Sequence, residues 1–278
     1  MRVVHSVKDV RSALETVGNI GLVPTMGALH AGHEKLIETA RRESGTVVVS
    51  IFVNPIQFGP NEDFARYPRT LDQDLEICKR LGVDLVFEPS VQEMYPLPQR
   101  TFVEVSRVSE HLCGKFRPGH FRGVATVVLK LFEIVRPHHA YFGEKDMQQL
   151  TVIRRMVTDL NVPVTIIGVP TVREADGLAL SSRNKYLNPE ERKAAPLLYR
   201  ALQEAASRLR DGEHDSARAR DAAMAVLGSS SLIRPEYFEI VDPDELQPVA
   251  TVDGPVRIAA AIWIGSTRLI DNVSVNAG

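Results

Sequence analysis

The sequence predicts an α/β fold, in which a parallel sheet with intervening helices is followed by a smaller α+β domain. Short apolar runs without strict polar alternation indicate strands that are covered on both faces, as in parallel sheets. Helical patterns separate these runs, and such alternation is typical of α/β folds. The predicted strands are IGLVP, TVVVSIFV, DLVFEP, AYFG and VTIIGVP.

Helices are predicted where apolar residues recur at helical spacing between the strands. After the first strand, Leu36, Ile37 and Ala40 fall on one face of such a helix. Ligands of open α/β sheets bind beyond the carboxyl ends of the strands, so the segments that follow the strands are candidates for a site. Further helices are predicted over residues 70–81, 124–135 and 147–160.

The pattern changes after about residue 184. Asn188-Pro189 is typical of a helix start, and Gly212 can end the helical sequence that follows. A second helix is predicted over residues 216–227, and the strand-like runs YFEIV, VRIAAAIWIG and TRLIDNV come after it. Helices followed by strands, without βαβ alternation, predict a separate α+β domain. We therefore expect a first domain over residues 1–184 and a second over residues 185–278.

Bulk composition favours a small-molecule partner. The 278 residues are 44% hydrophobic and 24% charged, and 33 basic against 35 acidic residues give a formal charge of -2. A nucleic-acid binder usually has a basic excess, so no nucleic-acid partner is expected. No apolar run reaches the length of a membrane span, and the first residues lack the features of a signal peptide. With only two cysteines and no CxxC pair, a cytoplasmic protein without a membrane partner is expected.

The stretch PTMGALHAGH, residues 24–33, connects the first predicted strand to a helix. A helix start carries unpaired backbone N–H groups and a partial positive charge, which make it an anion site. The glycines let a phosphate approach the backbone, and His30 and His33 are spaced to share one face of the first turn. Either histidine alone is more often a surface or capping residue. The pair within a glycine-framed turn favours a phosphate site.

Two other stretches place polar side chains after predicted strands. In FVNPIQF, Asn54 and Gln57 offer neutral donors and acceptors that suit hydroxyls and carboxylates, although an Asn-Pro turn with a solvated Gln is the simpler interpretation. In GEKDMQQL, Lys145 would supply a positive charge for a phosphate. Asp146 and Gln149 have the spacing of a capping box, so a purely structural role explains them equally well.

Two basic segments have both a functional and a structural interpretation. LALSSRNKYL, residues 178–187, sets two hydroxyls beside an arginine, which suits a polyphosphate clamp or a polar linker between domains. KFRPGHFRGV, residues 115–124, crowds Arg117, His120 and Arg122 at a Pro-Gly turn. A simple loop explains this segment slightly better than a basic lid.

Six motifs in order resemble one enzyme family. PTMGALHAGH is similar to the HxGH signature of the nucleotidyltransferase superfamily that includes class I aminoacyl-tRNA synthetases, and LSSRN resembles its KMSKS-type phosphate loop. The whole set resembles the pantoate–β-alanine ligase (pantothenate synthetase) family over nearly the full chain: PTMGALHAGH, FVNPIQF, YPRTLDQDL, RPGHFRGV, FGEKDMQQL and LALSSRN. The resemblance implies a Rossmann-like nucleotide-binding domain with a small C-terminal domain.

The resemblance also implies a two-step reaction. The carboxylate of pantoate attacks the α-phosphorus of ATP and gives pantoyl adenylate and pyrophosphate. The amine of β-alanine then attacks the acyl carbon and gives pantothenate and AMP. The first step needs charge neutralisation on the phosphates, and the second needs a positioned amine and exclusion of water.

Residue roles follow from the resemblance, position by position. Gln57 and Gln149 would bind pantoate, and Gln57 would also lie near β-alanine. His33 is the family's assigned proton donor, yet charge stabilisation is at least as good an explanation, because adenylyl transfer to a carboxylate moves no proton. The catalytic group would be His30, His33, Lys145, Ser181, Ser182 and Arg183. The ATP-binding residues would be Met26, Gly27, Ala28, Leu29, His30, Ala31, Gly32, His33, Gly143, Glu144, Lys145, Asp146, Val172, Leu180, Ser181, Ser182 and Arg183.

Mg²⁺ and a homodimer are implied as well. Mg²⁺ bridges phosphate oxygens of ATP and usually keeps several waters. Its protein ligands stay unassigned. Some relatives carry an acidic pair where this chain has Gln73-Asp74, so only one carboxylate remains, and Asp74 is no more than a candidate ligand.

Two alternatives stay open. One is another HxGH-type nucleotidyltransferase that acts on a different small acid or on a phosphate ester. Neutral Gln57 and Gln149 disfavour the ester, which would usually need more Arg or Lys. The other is a tRNA-binding module without catalysis, which the formal charge of -2 disfavours.

Overall fold

The computed structural model describes residues 1–60 and 62–276, which divide into two compact units. The first unit comprises Met1–Val105, Arg117–Glu144 and Gln149–Pro170. The second comprises Ser106–Phe116, Lys145–Gln148 and Thr171–Gly278. The second unit thus includes residues 106–116, 145–148 and 171–184 of the predicted first domain. The boundary near residue 185 stays a prediction.

The first unit contains a six-stranded parallel sheet with the order β1-β4-β3-β2-β5-β6. Its strands are β1 (Arg2–Val4), β2 (Ile20–Thr25), β3 (Thr46–Ile51), β4 (Leu85–Phe87), β5 (His139–Gly143) and β6 (Thr165–Val169). The chain builds outward from β2 through β3 to β4, and then continues on the other side of β2 with β5 and β6. The order therefore reverses between β2 and β5, and such a switch point is where open α/β sheets bind ligands.

The helices of the described chain separate the strands of the first sheet and precede those of the second. They are α1 (Val7–Leu14), α2 (Ala31–Glu43), α3 (Leu71–Arg80), α4 (Val91–Met94), α5 (Cys113–Phe116), α6 (His120–Val135), α7 (Met147–Asp159), α8 (Pro189–Ala194), α9 (Leu197–Arg210) and α10 (Ser216–Leu227). Short 3-10 turns cover Pro55–Gln57, Asp63–Arg66, Glu144–Asp146 and Ser182–Tyr186.

The core of the first unit explains why its strands lack polar alternation. Val47, Val48 and Val49 are consecutive in β3 and each is fully buried. Helix α2 packs its apolar face, with Ile37 and Ala40, into the same cluster as β3. A strand buried on both faces has no solvent side on which polar residues would alternate.

The second unit contains a three-stranded antiparallel sheet with helices. Its strands are β7 (Ile233–Val241), β8 (Pro255–Ile264) and β9 (Thr267–Asn276), paired in the order β7-β8-β9. Helix α9 buries Leu198, Leu202 and Leu209 in the cluster that also contains Ile258 and Ile262 of β8. This arrangement of helices and strands is the α+β pattern that the sequence predicts.

The differences from the sequence prediction are added short elements and shifted element ends. The structure adds β1, α1, α4 and α5 to the predicted elements, and α6 begins at His120 rather than near residue 124. Within the described residues, no helix is both long and apolar enough to cross a membrane.

Candidate active site

The turn after β2 has a backbone that few residues adopt. Gly27 has φ +78° and Ala28 has φ +52°, both in the left-handed region. A Cβ at Gly27 would lie 2.9 Å from Oδ2 of Asp74, so glycine is needed for conformation and for space. The left-handed region is sterically unfavourable for Ala28, which indicates that neighbouring groups hold the turn in place.

Asp74 of α3 is the group that holds this turn. Its side chain is buried, with 1% of the residue exposed, and its two oxygens accept hydrogen bonds from the backbone N–H groups of Ala28 (2.9 Å) and Leu29 (2.8 Å). The Thr70 hydroxyl donates a longer bond of 3.3 Å to the same carboxylate. Both oxygens are therefore engaged by the turn. Across the described chain, no group of three or more His, Cys, Asp or Glu side chains could hold a metal ion.

His30 is the N-cap of α2. Its Nδ1 accepts a hydrogen bond of 3.1 Å from the backbone N–H of Gly32. An accepting ring nitrogen carries no proton, so the neutral ring has its proton on Nε2. The ring of His33 lies beside it, with centroids 4.2 Å apart. The two histidines thus meet at the amino end of a 13-residue helix, where the partial positive charge favours an anion.

Gln57, in the 3-10 turn after β3, is held by a chain of amides and a phenol. The Nδ2 group of Asn54 donates to Oε1 of Gln57 at 3.0 Å and to the carbonyl of Gly123 at 3.2 Å. The Tyr95 hydroxyl in turn donates to Oδ1 of Asn54 at 2.7 Å. Burial raises the pKa of Tyr95, which keeps the phenol protonated as a donor. Asn54, itself held by Tyr95, therefore fixes the orientation of the Gln57 side chain. Sequence reasoning missed Tyr95, which lies 41 residues from Asn54 and in none of the six motifs.

The segment from Arg117 to Gly123 leads into the first turn of α6 and contacts the turn that carries Gln57. His120 Nδ1 lies 2.9 Å from the Gln57 carbonyl, and Arg117 donates to Glu62, with Nε 2.8 Å from Oε1. Burial alone would raise the pKa of Glu62, but the hydrogen bonds and charge of Arg117 lower it overall. These contacts hold the segment against its neighbours, and the choice between a loop and a lid stays a prediction.

The two glutamines at the start of α7 differ in their contacts. Gln148 is buried, donates from Nε2 to the carbonyls of Val108 (2.9 Å) and His111 (2.7 Å), and accepts from the Cys113 N–H (2.9 Å). It is a structural side chain. Gln149, the predicted pantoate ligand, is half-buried, and no described residue forms a hydrogen bond with its side-chain amide.

Lys145 and Asp146 follow Glu144 in a 3-10 turn and belong to the second unit. The Lys145 side chain is 18% exposed, and Nζ lies 3.8 Å from Oδ2 of Asp146. The backbone carbonyl of Lys145 accepts a hydrogen bond of 2.9 Å from the Asn272 side chain. A carboxylate at 3.8 Å is a loose partner for the ammonium group, which can still pair with a phosphate.

Val172 and Leu180, the next two predicted nucleotide contacts, are joined in one hairpin. The Leu180 N–H donates to the Val172 carbonyl at 3.0 Å, and the Glu174 N–H donates to the Leu178 carbonyl at 2.9 Å. The guanidinium of Arg173 stacks over the ring of Tyr199, 3.9 Å from its centroid. This hairpin therefore has defined support within the second unit.

The SSRN segment begins a 3-10 turn after this hairpin. Ser181 is its N-cap and accepts from the Arg183 N–H at 3.3 Å, while Ser182 is buried with 7% of the residue exposed. Asn184 donates to the Ala179 carbonyl at 3.1 Å, which ties the turn to the hairpin. The segment is ordered by these bonds rather than being an extended linker.

The predicted site residues thus fall into two groups, each with its own structural support. Those of the first unit are Met26, Gly27, Ala28, Leu29, His30, Ala31, Gly32, His33, Gln57, Gly143, Glu144 and Gln149. Those of the second unit are Lys145, Asp146, Val172, Leu180, Ser181, Ser182 and Arg183.

Comparison with known proteins gives a match over almost the whole chain. A family model described as pantoate-beta-alanine ligase matches residues 2–274. A pantothenate synthetase of Moorella thermoacetica is 53% identical over 274 residues, which are 98% of this chain and 97% of the relative. One from Thermotoga neapolitana is 51% identical over 276 residues, covering 98% and 99% of the two chains.

Solved structures agree with these matches. The crystal structure of pantothenate synthetase from Thermus thermophilus is similar with a TM-score of 0.95 and 51% identity, over 98% of this chain and 99% of that one. A pantoate-beta-alanine ligase from Francisella tularensis, complexed with beta-gamma ATP and beta-alanine, is similar with a TM-score of 0.82 and 37% identity, over 98% and 97% of the two chains.

Proposed function

This chain belongs to the pantoate–β-alanine ligase family, and from that premise we propose which of its residues carry the reaction. The chain is an enzyme that condenses pantoate with β-alanine using ATP. We assign the reaction two steps. The pantoate carboxylate displaces pyrophosphate from the α-phosphorus of ATP, and the β-alanine amine then displaces AMP from the acyl carbon of pantoyl adenylate.

The amino end of α2 carries this proposal. His30 uses Nδ1 to cap the helix, which leaves the proton of the neutral ring on Nε2 as a donor. The ring of His33 lies 4.2 Å away, and the helix end adds a partial positive charge. Such preorganised donors stabilise the charge that develops on a phosphate in the transition state. Met26 to Gly32 would line the nucleotide with their backbone.

Gln57 and Gln149 are proposed to bind pantoate. An amide offers both a donor and an acceptor, which suits a molecule that presents hydroxyls and a carboxylate. Asn54 engages Oε1 of Gln57 as an acceptor, and Gln57 Nε2 lies 3.1 Å from the weak acceptor sulfur of Met26. The Nε2 donor can therefore exchange that weak contact for a bond to substrate oxygen.

Residues of the second unit are proposed to bind the nucleotide as well. Lys145 would neutralise phosphate charge, and Val172 would contact adenine or ribose through its backbone. The hydroxyls and guanidinium of Ser181, Ser182 and Arg183 would hold the polyphosphate. Leu180, Gly143, Glu144 and Asp146 complete the proposed nucleotide contacts.

Magnesium, the dimer and the cellular location belong to the same proposal. Mg²⁺ is proposed to accompany ATP with phosphate oxygens and waters as its ligands, because the Asp74 oxygens already accept two backbone hydrogen bonds. Family members are generally dimers, and we propose a homodimer in the cytoplasm.

A substrate-omission assay tests the proposal. Protein, ATP, Mg²⁺, pantoate and β-alanine are mixed, each substrate is left out in turn, and AMP, pyrophosphate and pantothenate are measured. We expect pyrophosphate to form with pantoate alone, in an amount stoichiometric with enzyme, and AMP to be released only when β-alanine is added. Pyrophosphate release that depends on β-alanine, or on another acid in place of pantoate, would refute the proposed order or substrate.

A further inference from the structure

Strand β9 carries two neighbouring polar side chains, Asp271 and Asn272, that have no part in the proposed function. Both are buried, with 3% and 5% of the residue exposed. Burying polar groups in a strand costs free energy unless they are paired, so their partners indicate why they are there.

The carboxylate of Asp271 holds Arg173. Both terminal nitrogens of the guanidinium donate to the two carboxylate oxygens, with Nη2 2.9 Å from Oδ1. The same guanidinium donates to the Gly177 carbonyl at 3.1 Å and stacks on Tyr199. A two-pronged Arg–carboxylate pair fixes orientation as well as distance. Because Arg173 follows Val172 and pairs with Ala179 across the hairpin, its position sets the position of the hairpin.

The side chain of Asn272 holds Lys145. Its Nδ2 group donates to the Lys145 carbonyl at 2.9 Å, although the two residues are 127 positions apart. The Asn272 N–H donates to Oδ1 of Asp271 at 2.8 Å, which links the two anchors. Successive residues of a strand point to opposite faces, so two neighbours can reach two different segments.

We propose that Asp271 and Asn272 are positioning residues, which hold the Val172–Leu180 hairpin and Lys145 in a fixed relation for binding ATP. This inference rests on the proposed function, in which Lys145 contacts phosphate and the hairpin contacts the nucleotide. Neither residue touches substrate, and each acts through a segment that does. A rigid strand that spaces two nucleotide-binding segments preorganises them before ATP arrives.

The test compares two substitutions in β9 with a control substitution elsewhere in the same sheet. Asp271→Asn and Asn272→Ala remove the anchors. Glu236→Gln on β7 is the control, because Glu236 also forms a buried pair with an arginine, with its Oε2 2.9 Å from Arg268 Nε, and also accepts from Trp263 at 2.8 Å. Glu236 has no hydrogen bond to Lys145 or to the hairpin within the described residues. Thermal unfolding and the ATP dependence of pantoate-dependent pyrophosphate release are measured for each protein.

We expect Asp271→Asn and Asn272→Ala to lower kcat/KM for ATP by about tenfold to a hundredfold, the range that a misplacement of about 1 Å produces. The KM for pantoate at saturating ATP should stay unchanged. Glu236→Gln should lower Tm and leave the ATP kinetics unchanged. If Asp271→Asn does not fold, Asn272→Ala decides, since it removes no charge. It deletes an amide that donates to the Lys145 carbonyl at 2.9 Å and accepts a longer bond of 3.4 Å from Arg257.

Unchanged ATP kinetics in folded Asn272→Ala would overturn the inference, as would an equal loss in Glu236→Gln. Lys145→Ala separates this failure from that of the proposed function. If Lys145→Ala lowers kcat/KM for ATP while the β9 variants do not, only the positioning role is wrong. If Lys145→Ala has no effect, the proposed role of Lys145 in ATP binding is wrong. The positioning role of Asn272, which depends on it, is then wrong as well.

Discussion

His30 caps α2 with its imidazole ring, and the same ring is proposed to bind phosphate. Because Nδ1 caps α2, the position of the ring proton is set before any ligand binds. The cap of α2 is His30, whereas His33 lies within the first turn of the helix. We therefore expect His33 to be replaceable without loss of the helix start, which makes it the cleaner site for testing chemistry.

Replacing His33 with alanine should slow adenylation by about a hundredfold or more, as for the loss of one transition-state donor. Tm should change little, because His30 still caps the helix. Pyrophosphate release in a single turnover with pantoate measures the step directly. A normal rate of pyrophosphate release would show that His33 does not stabilise the transition state.

Replacing Asp74 with asparagine should weaken ATP binding. The amide keeps one acceptor oxygen but turns a donor group toward one of the two backbone N–H groups of the turn at Ala28 and Leu29. We expect KM for ATP to rise and the protein to lose about 1–3 kcal/mol of stability, as for a buried group left unsatisfied. Asp72→Asn, an exposed carboxylate on the same helix, is the control and should behave like the wild type. Equal ATP kinetics for both variants would contradict the role of Asp74.

At the scale of elements, helix α6 supports the 3-10 turn that carries Gln57, the proposed pantoate ligand. Gly123 lies so close to the 3-10 turn of Gln57 that a Cβ would come 2.6 Å from Gln57 Cα and would also clash with the carbonyl of Ile56. Helix and turn therefore pack backbone to backbone. For residues 115–124 the sequence favours a loop only slightly over a lid, because periodicity does not reveal what a helix end contacts.

Replacing Gly123 with alanine should displace the turn that carries Gln57. Forcing a methyl group into a packed contact typically costs about 1–3 kcal/mol. We expect a lower Tm together with a raised KM for pantoate, and a KM for ATP that changes less. Steady-state kinetics with each substrate varied in turn measure the two KM values separately. A variant that loses stability but keeps its KM for pantoate would show that the turn does not depend on α6.

The pair between Arg117 and Glu62 predicts an acid-dependent loss of stability. Folding lowers the pKa of Glu62 below its usual value of 4.5, so its contribution is complete above that pH and disappears as the pH falls through the folded-state pKa. We expect the unfolding free energy of wild type to exceed that of Glu62→Gln at neutral pH, and the difference to shrink in acid. Urea unfolding at a series of pH values measures it. A difference that is independent of pH would mean that the charge of Glu62 contributes nothing.

At the scale of the whole molecule, local patterns predicted the elements but not the partners that hold the site. Buried strands such as β3 and helices such as α10 have recognisable patterns of apolar residues within short stretches of sequence, so the fold class could be predicted. The turn at His30 could be predicted for the same reason, because its glycines and histidines lie in one short stretch. The bonds from Asp74 to Ala28, from Tyr95 to Asn54 and from Asn272 to Lys145 join residues 46, 41 and 127 positions apart. No local spacing encodes such pairs, because they arise only when distant elements pack.

The amino end of α2 and the turn of Gln57 are proposed to bind the two substrates of adenylation. A crystal structure of this protein with pantoate and a non-hydrolysable ATP analogue tests it most directly. We expect phosphate oxygens at hydrogen-bond distance, about 3 Å, from the imidazole of His30 or His33, and pantoate oxygens at similar distance from Gln57 and Gln149. A nucleotide bound away from the α2 terminus, with both histidine rings out of contact with phosphate, would contradict the account.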